Sequence, residues 1–292
     1  MRHPEVGQES EKWLRVRKLW AFCRMEPIGV LGAVLFLGLI VLAVGAPLWT
    51  QRDPIATSIS KALKPPFGEF WLGTDQLGRD VWSRFVYGSR ISLLVAISSV
   101  ALASTGGGLF GIFSGLVGGR TDSYLQRFMD SVLAMPALVL AIIIMAVLGT
   151  STINVIIAIA VGGFPRVNRV TRSAAVSLRE SLFIESAIIA GASKWRIAIR
   201  HIAMNCVAPW LVYSSALLGV AFIAEASLSF LGMGVPPPTP SWGRDLAEGL
   251  TRFEFAPWPC IIPGVGISIA VFCANFLGDT LRNILDPRLK RI

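Results

Sequence analysis

Long apolar stretches alternate with shorter polar stretches along most of the chain. Runs of about 20 apolar residues have the length that an α-helix needs to cross a lipid bilayer. The predicted transmembrane helices, of which the fourth is shorter than the rest, lie at about residues 28–49, 91–116, 128–148, 153–164, 207–230 and 260–277. We therefore predict an all-α, polytopic membrane protein with six transmembrane helices. A transmembrane β-barrel would show short segments of alternating hydrophobicity, and this sequence lacks them.

The first apolar run follows a polar stretch, residues 1–27, that contains six Lys and Arg. A secretory signal peptide has the same order, but its apolar region spans only about 7–15 residues. Small residues at 43–46 offer a possible cleavage site. The greater length of the run favours an uncleaved first transmembrane helix.

The composition agrees with a membrane protein. The 292 residues are 53% hydrophobic and only 15% charged, whereas a soluble domain carries about 25% charged residues. The formal net charge of +9 is compatible with nucleic-acid binding. In a membrane protein, however, such a charge more often reflects basic cytoplasmic loops, and we expect no nucleic-acid partner.

The positions of the basic residues predict how the chain is oriented. Of the 27 Lys and Arg, 19 lie in the segments 1–27, 118–130, 165–205 and 278–292. The positive-inside rule places such segments in the cytoplasm, so both termini are expected there. The segments 50–90 and 232–258 hold the other eight and are expected outside, since a long loop can translocate despite its charge.

These boundaries divide the chain into five parts. We predict a cytoplasmic N-terminal tail, a first transmembrane helix, an extracytoplasmic loop with an amphipathic segment, a transmembrane core and a cytoplasmic tail, at residues 1–27, 28–49, 50–90, 91–281 and 282–292. The core includes the cytoplasmic loop 165–205 and the extracytoplasmic loop 232–258.

The segment 183–205 is predicted to form two short helices that meet at Gly191. Apolar residues recur at helical spacing before the glycine, and basic residues alternate with apolar ones after it. Glycine permits a sharp turn at such a joint. The pattern indicates a docking surface for a cytoplasmic partner, and the alternative is an ordinary basic loop held by lipid phosphates.

A stripe of glycines at a spacing of four follows one face of the second predicted helix. A smooth helix face of this kind lets another helix approach closely, so we assign a helix-packing role to Gly107, Gly111, Gly115 and Gly119. Residues 106–111 also match GxGxxG formally, but that motif needs a preceding strand. The chain has no GxxxxGK[ST] sequence, so it is not expected to hydrolyse nucleotides.

Charged residues near the predicted outer ends of the helices are candidates for a gate or for the extracytoplasmic loop. Two acid–base pairs at i,i+4 predict a helix lying on the membrane surface. Glu225, near the end of the fifth predicted helix, is either functional or paired, as carboxylates at membrane depth usually are, or it lies at the interface with water. With Trp242 of the loop 232–258, the candidates are Asp75, Arg79, Asp80, Arg84, Glu225 and Trp242.

The sequence offers no basis for catalysis. Its four cysteines have no CxxC spacing, and His3 and His201 are its only histidines. No metal site, disulfide framework or nucleophile–base pair follows from such a set. We therefore predict no catalytic residue and no metal or other cofactor in this chain.

Five stretches, in order, together resemble the ABC importer permeases of the dipeptide and oligopeptide class, of the type with a long first outside loop. They are GTDQLGRDVWSRFVYGSRISL at 73–93, GLVGGRTDSYLQRFMD at 115–130, ESAIIAGASKWRIAIRH at 185–201, EASLSFLGMGVPPPTPSWG at 225–243 and NFLGDTLRNILDPR at 275–288. The resemblance implies the type I importer transmembrane fold with a cytoplasmic coupling helix.

The resemblance also assigns the segment around Gly191 to the EAA loop, which seats on the ATP-hydrolysing subunit. Glu185, Ser186, Ala187 and Gly191 match its EAA-x3-G core, with serine in place of the first alanine. The implied coupling surface continues through Ala192, Ser193, Arg196, Arg200 and His201. Where the family often has Leu-Pro before the asparagine, this chain has Ala203-Met204, and the helix is therefore expected to continue into the fifth span.

The family architecture implies the partners. They are a second, related permease subunit, two ATPase subunits that bind ATP and Mg²⁺, an extracytoplasmic substrate-binding protein and the lipid of a bacterial inner membrane. Peptides are the expected cargo, and a nickel chelate, glutathione, an opine or a sugar are the alternatives. A self-contained secondary transporter would need ionisable groups within its spans, and the predicted spans contain few.

Overall fold

The structure is a computed structural model that describes residues 26–285. Most of the predicted tails, residues 1–25 and 286–292, lies outside this range. The described residues form helices and irregular segments, with one isolated bridge between Thr74 and Asp80. The α-helices are α1 (Pro27–Val44), α2 (Ala46–Trp49), α3 (Val81–Val117), α4 (Gly119–Leu133), α5 (Ala137–Leu148), α6 (Thr152–Arg179), α7 (Leu182–Ile189), α8 (Lys194–Arg196), α9 (Met204–Phe230), α10 (Trp242–Leu250) and α11 (Trp258–Leu285).

Five of these helical segments are long and apolar enough to cross a membrane: α1, α3, α6, α11, and the continuous segment Lys194–Phe230 that joins α8 and α9 through a π-helix at Ile197–Ala203. Helices α4 and α5 make a sixth candidate only if they are counted as one bent span. The prediction of an all-α membrane protein is confirmed.

The predicted third span, 128–148, is wrong at its start. Helix α4 ends at Leu133 and α5 begins at Ala137, and the two axes differ by 87°. Pro136 lies at the break and precedes the first turn of α5, where its missing N–H leaves no helical hydrogen bond unmade. The expected kink at Pro136 is therefore a complete change of direction.

Two other helices are longer than the hydrophobic pattern suggested. Helix α3 begins at Val81 rather than near residue 91, because the Asp80 carboxylate accepts a hydrogen bond from the backbone N–H of Ser83 at 3.0 Å and caps the helix. Helix α6 continues to Arg179 rather than ending near residue 164, and Pro165 lies within it. Polar residues extend both helices beyond the apolar runs, so hydrophobicity alone underestimated their length.

Helices α3 and α6 run parallel, since successive glycines of α3 meet successively later residues of α6, and they form the most extensive helix pair in the bundle. Three of the predicted packing glycines lie on the face of α3 toward α6. A Cβ atom added to them would lie 2.5, 2.4 and 3.0 Å from carbonyl oxygens of α6, those of Phe164, Asn168 and Arg172 for Gly107, Gly111 and Gly115 respectively. The backbones therefore approach more closely than any side chain would allow.

The prediction does not extend to Gly119. This residue begins α4 with a φ of +61°, and a Cβ there would have nothing within 4 Å. Gly118, with a φ of +65°, ends α3 immediately before it. The two positive φ values turn the chain out of α3, so Gly119 belongs to a turn instead of the packing stripe.

The bundle has two structurally different ends. One end carries residues 50–80, the first turns of α3 and residues 231–257, which contain all of α10, and we call this end the cap. The other end carries residues 180–203, which we call the elbow, and it includes α7, α8 and the π-helix. The main buried apolar cluster lies between the ends and joins residues of α1, α3, α6, α9, α10 and α11.

Candidate functional site

The cap is built around Arg79. Its guanidinium donates hydrogen bonds to Asp75 at 2.5 Å and to Glu248 at 2.5 Å. The Asp75 carboxylate also accepts the backbone N–H groups of Leu77 and Arg79, at 2.8 and 2.9 Å. The side chain of Arg79 is almost buried. Arg79 therefore fastens the loop before α3 to α10, although Glu248 lies far along the sequence.

A second arginine, Arg84, makes a parallel connection from the first turn of α3. Its guanidinium donates to Asp245 of α10 and, at 3.2 Å, to the carbonyl of Pro54. It lies 3.8 Å from the Asp75 carboxylate. Arg84 is 3% exposed, so its charge is balanced inside the protein by two acidic side chains.

The predicted membrane-surface helix over these residues is wrong. Residues 74–80 form a loop closed by the Thr74–Asp80 bridge, in which Gly78 has a φ of +71°. The Asp75–Arg79 ion pair exists, but it spans this loop instead of a helical turn. Asp80 caps α3 and does not pair with Arg84. The i,i+4 spacing suggested a helix because it could not show that α10 supplies the competing acids.

Burial and charge move the pKa values of the two α10 carboxyls in opposite directions. Burial raises the pKa of Asp245 to about 6, against the opposing effect of Arg84. Burial also acts to raise the pKa of Glu248, but the hydrogen bond from Arg79 and the nearby arginine charges outweigh it and hold the pKa below its usual range. One oxygen of Asp245 is buried with no hydrogen-bond partner among the described residues, which agrees with its weakened acidity.

Beneath the ion pairs lies Trp242, the first residue of α10, which is completely buried. Its ring stacks on Phe85 at 5.5 Å between centroids, and its indole N–H donates to the Phe85 carbonyl at 2.9 Å. Its backbone N–H donates to the Ser92 hydroxyl at 3.2 Å. Trp242 therefore fixes the start of α10 against the first turns of α3.

Glu225 of α9 lies directly next to this contact and is 0% exposed. It accepts hydrogen bonds from the Ser92 hydroxyl at 3.3 Å and the Ser229 hydroxyl at 3.0 Å. The alternative interpretation of Glu225, as a residue at the interface with water, is wrong. The carboxyl is instead the polar centre of a contact between α3, α9 and the start of α10.

All six candidate gate residues thus meet at the cap, but sequence reasoning missed the two acids that complete it, Asp245 and Glu248. A signal was present. Ser241 caps α10 by accepting the Arg244 backbone N–H at 3.3 Å, and a capping Ser followed by an acidic residue in the first turn, here Asp245, marks a helix start. Reading 242–250 as a charged helix would have identified acids for Arg79 and Arg84.

At the elbow, α7 ends in a Schellman motif. The backbone N–H of Ala192 donates to the Ala187 carbonyl at 3.0 Å, and that of Gly191 donates to the Ile188 carbonyl at 2.9 Å. Gly191 has a φ of +80°, which explains the glycine at this position. Ser193 then caps α8 by accepting the Arg196 backbone N–H at 3.3 Å. The two predicted helices are present as α7 and the helical segment that begins at Lys194, and they are joined at Gly191.

The inner face of the elbow is anchored in the bundle. Ile184, Ile197 and Ile202 are buried together with Ala175 of α6 and Cys206 of α9. Residues of α3 and α6 pack against this cluster from the helix ends. The elbow is therefore fixed to three long helices, and a displacement of one would move the others.

The outer face of the elbow is exposed although it is largely apolar. Leu182, Ile189 and Trp195 are 80%, 82% and 75% exposed. Of the predicted coupling residues, Ala187, Ala192 and His201 are half-buried, and the exposed ones are Glu185, Ser186, Gly191, Ser193, Arg196 and Arg200. The predicted set thus lies mainly on one outward surface, and sequence reasoning missed its large apolar members.

The helix after the elbow continues without a break into α9, as the missing Leu-Pro pair predicted. The transition is a π-helix, Ile197–Ala203. At its end the Asn205 side-chain amide donates to the His201 carbonyl at 2.5 Å. The connection from α8 to the membrane-spanning helix is therefore one continuous helical rod.

A polar network next to the elbow holds α4 in place. The guanidinium of Arg172 in α6 donates to Asp122 of α4 at 2.6 Å, and the Ser114 hydroxyl of α3 also donates to Asp122. The Gln126 amide reaches Asn168 at 3.1 Å. Sequence reasoning missed this network, since its members lie on three different helices.

A cavity of about 260 Å³ lies between α3, α5, α6 and α9. Its wall consists mostly of Ala, Gly and larger aliphatic residues, with Arg166 as its charged member. A larger groove of about 720 Å³ opens toward α10 and α11. The two spaces share three lining residues, Leu138, Ile223 and Ser227, so they adjoin along α5 and α9.

The chain is similar to known transport proteins. Residues 107–291 match the family described as the binding-protein-dependent transport system inner membrane component. A Brucella abortus protein, provisionally named as a peptide transport system permease protein, is 43% identical over 98% of this chain and 95% of its own length. The di/tripeptide transport system permease protein of Pseudomonas aeruginosa is 39% identical over 90% of this chain and 89% of its own. The dipeptide transport system permease protein of Alkalihalophilus pseudofirmus is 37% identical over 94% and 90%.

Proposed function

The chain belongs to the family of binding-protein-dependent transport system inner membrane components, and from this premise we propose that it forms half of the pathway of an ATP-driven peptide importer. The related proteins named for dipeptide and di/tripeptide transport support peptides as the cargo. A second, related permease subunit would supply the other half of the pathway. A substrate-binding protein outside the cell would deliver the peptide.

The two ends of the bundle take different roles in this proposal. The elbow lies in the basic segment 165–205 and faces the cytoplasm, and the cap faces outward, with both termini inside. Two ATPase subunits, which bind ATP and Mg²⁺, dock on the elbows of the two permeases. The cap closes the outer end and meets the binding protein.

The single observation that carries the coupling role is the combination of two faces in the elbow. Its inner face is fixed to α3, α6 and α9 through buried isoleucines, and its outer face exposes Leu182, Ile189 and Trp195. An exposed apolar patch on a well-anchored element is typical of a protein interface. When ATP binding closes the ATPase pair, the elbows follow and the long helices move with them.

Such a switch requires that the ATPase pair bind the two permease conformations with different affinities. The Schellman turn at Gly191 and the continuous helix from Lys194 to Phe230 keep the elbow from absorbing the motion. A displacement at α7 is therefore passed to α9, which also lines the cavity. In this proposal, a single helix connects the docking surface for the ATPase to the peptide pathway.

The coupling role is tested with Gly191→Arg. Any side chain at a φ of +80° strains the turn by about 1–2 kcal/mol, and arginine adds bulk on the docking face. Gly149→Arg is the matched control, because Gly149 also has a φ of +80° and open space around a Cβ. We expect Gly191→Arg to insert in the membrane but to lose ATPase association or peptide-stimulated ATP hydrolysis, and Gly149→Arg to keep both. Normal uptake in Gly191→Arg would contradict the proposal.

A further inference from the structure

The cavity between α3, α5, α6 and α9 contains two polar groups for which residues 26–285 provide no partner. One belongs to Arg166, which lines the cavity and for whose guanidinium the described residues offer neither a hydrogen bond nor an ion pair, and the other is the buried hydroxyl of Ser99. The remaining wall is apolar or has its polar atoms bonded within its own helix, as in Ser227, whose hydroxyl donates to the Ile223 carbonyl at 2.8 Å. A mostly apolar pocket with a few polar groups is the usual form of a ligand site.

Arg166 differs from the other arginines that follow it on α6. Arg169 pairs with Asp130 at 2.5 Å, and Arg172 donates to Asp122 at 2.6 Å. Arg166 is half-buried near the middle of this 28-residue helix, two residues beyond the apolar run 153–164, and a partly buried charge is stabilised by a counter-charge. Because Arg166 lines the cavity, a ligand in the cavity can supply the counter-charge.

Ser99 differs in the same way from three other buried serines of α3. The hydroxyl of Ser89 donates to the Val86 carbonyl at 2.6 Å, and those of Ser92 and Ser114 donate to carboxylates on other elements. Ser99 is 1% exposed, yet its hydroxyl has no partner among the described residues. A buried hydroxyl without a hydrogen bond costs free energy, and an acceptor that enters the cavity would remove that cost.

We infer that Arg166 and Ser99 bind the free carboxylate of the transported peptide during its passage. A guanidinium offers two parallel donors to a carboxylate, and the serine hydroxyl adds a third. The surrounding Ala, Gly and Leu side chains present no further polar groups, so side chains of many kinds fit without being selected. This inference rests on the proposed peptide transport, which it extends by assigning a substrate contact.

The route of the peptide supports a substrate over other anions. The cavity adjoins the groove that opens toward the cap, since both include Leu138, Ile223 and Ser227 in their walls. A solute that enters from the cap along α9 therefore reaches Arg166 before the elbow end. A lipid phosphate or an acidic side chain of the second permease subunit would satisfy the same guanidinium, and the experiment separates these sources.

The experiment measures uptake by the complete transporter reconstituted in liposomes with its binding protein and ATP. Each complex is given the same peptide with either a free or an amidated C-terminus, and the ratio of the two uptake rates is compared between wild type and Arg166→Gln. Because the same binding protein delivers both peptides, its own preference cancels between the two complexes. We expect the ratio to fall at least about tenfold in Arg166→Gln, the scale of one hydrogen bond to a charged group.

Two further variants complete the design. Arg169→Gln removes the same charge three residues away, where the side chain faces Asp130 instead of the cavity, and the ratio is expected to stay at the wild-type value. Arg166→Lys keeps the charge without the bidentate geometry, so it is expected to keep part of the preference and serves as the measurable variant if the glutamine is not tolerated. Ser99→Ala is expected to lower the ratio by a smaller factor.

Three results would overturn the inference. An equal loss of both peptides in Arg166→Gln and Arg166→Lys indicates that the arginine pairs with a lipid or with the second subunit. An unchanged ratio shows that the carboxylate is not bound there. If wild type imports neither peptide in the presence of ATP, the proposed peptide transport itself fails and the inference falls with it, a result distinct from the first two because it needs no variant.

Discussion

The cap and the elbow lie at opposite ends of the same helices and show opposite chemistry. The cap buries its charges: the arginines Arg79 and Arg84 are matched inside the protein by acids from the loop before α3 and from α10. The elbow exposes its hydrophobic residues, and Leu182, Ile189 and Trp195 face outward. The charges of Arg79 and Arg84 are balanced within this chain, although the cap also exposes apolar side chains such as Phe67 and Phe255. The exposed apolar residues of the elbow differ in that they lie on an element anchored to three long helices.

In the proposed mechanism, this difference lets one subunit combine a closed outer end with an end that receives force. Polar groups that satisfy each other inside one chain fix the relative position of distant segments, here residues 75–84 and α10. Apolar groups that remain exposed are free to be buried by another protein. The two ends are joined by helices that contact both of them, chiefly α3 and α9.

The largest effect is expected from breaking the buried charge balance of the cap. In Arg84→Met, Asp245 loses the guanidinium that donates to it while its side chain stays only 10% exposed, so the free energy of unfolding should fall by about 3–5 kcal/mol. Thermal unfolding of the purified protein in detergent measures this. Adding Asp245→Leu to the variant should restore most of the stability. Wild-type stability in Arg84→Met alone would show that the cap is not held in this way.

A smaller effect, and of a different kind, is expected at the elbow. Trp195→Ala removes an exposed ring, so the unfolding temperature of the isolated chain should not change. The affinity for the ATPase subunit should nevertheless fall by about 2 kcal/mol, as is usual for an aromatic residue at the centre of an interface. Titration of the ATPase subunit against the permease complex in nanodiscs measures this. If Trp195→Ala instead lowered the stability and left the affinity unchanged, Trp195 would support the fold of the elbow and would not be a docking residue.

The pH dependence of stability sharpens the description of the cap. Burial raises the pKa of Asp245 to about 6 in the folded protein, above the usual value of about 3.9. The folded state therefore binds more protons than the unfolded state in this window, and stability falls as the pH rises through it. Between pH 5 and 7 the loss should be about 1 kcal/mol, measured by denaturation at each pH.

Asp245→Asn provides the control for this measurement, since it removes the titrating group and should flatten the profile. Glu248 has the opposite effect on the pH dependence of stability, because the arginines lower its pKa. That effect lies below about pH 5, so it does not change the slope between pH 5 and 7. A profile of equal slope in wild type and Asp245→Asn would assign the pH dependence to another group.

The smallest effect is expected from an ion pair on the surface of the cap. Lys61 and Glu69 form a salt bridge at 2.5 Å, with side chains 41% and 55% exposed. Exposed pairs of this kind contribute little to stability, so Lys61→Met should leave the unfolding temperature unchanged within error. A large decrease would mean that the stability of the cap does not depend on burial of its charges.

The sequence predicted the elbow far better than the cap, for a physical reason. The elbow is local: an apolar stripe, one glycine and a serine cap lie within a few turns and determine the fold between Leu182 and Arg196. The cap is assembled from segments more than 150 residues apart, as in the contact between Arg84 and Asp245. Hydrophobic periodicity contains no information about such pairing, and the two i,i+4 acid–base pairs were therefore assigned to a helix that does not form.

For the same reason, the sequence did not locate the helix ends or the buried polar groups. The apolar runs located the transmembrane helices but not the polar turns that extend α3 and α6. The glycine spacing predicted the close approach at Gly107, Gly111 and Gly115, yet it could not show that positive φ values at Gly118 and Gly119 end the helix. The cavity with Arg166 was missed because its wall comes from four helices, and no sequence motif connects them.

The central claim is that the elbow, and not the cap, is the surface that the ATPase covers. Amide hydrogen exchange of the permease, measured with and without the ATPase subunits, tests this directly. We expect exchange at residues 182–196 to slow when the ATPase subunits are present, while exchange in the cap, including α10, stays the same. Equal exchange at the elbow in both samples, or protection that appears only at the cap, would contradict the claim.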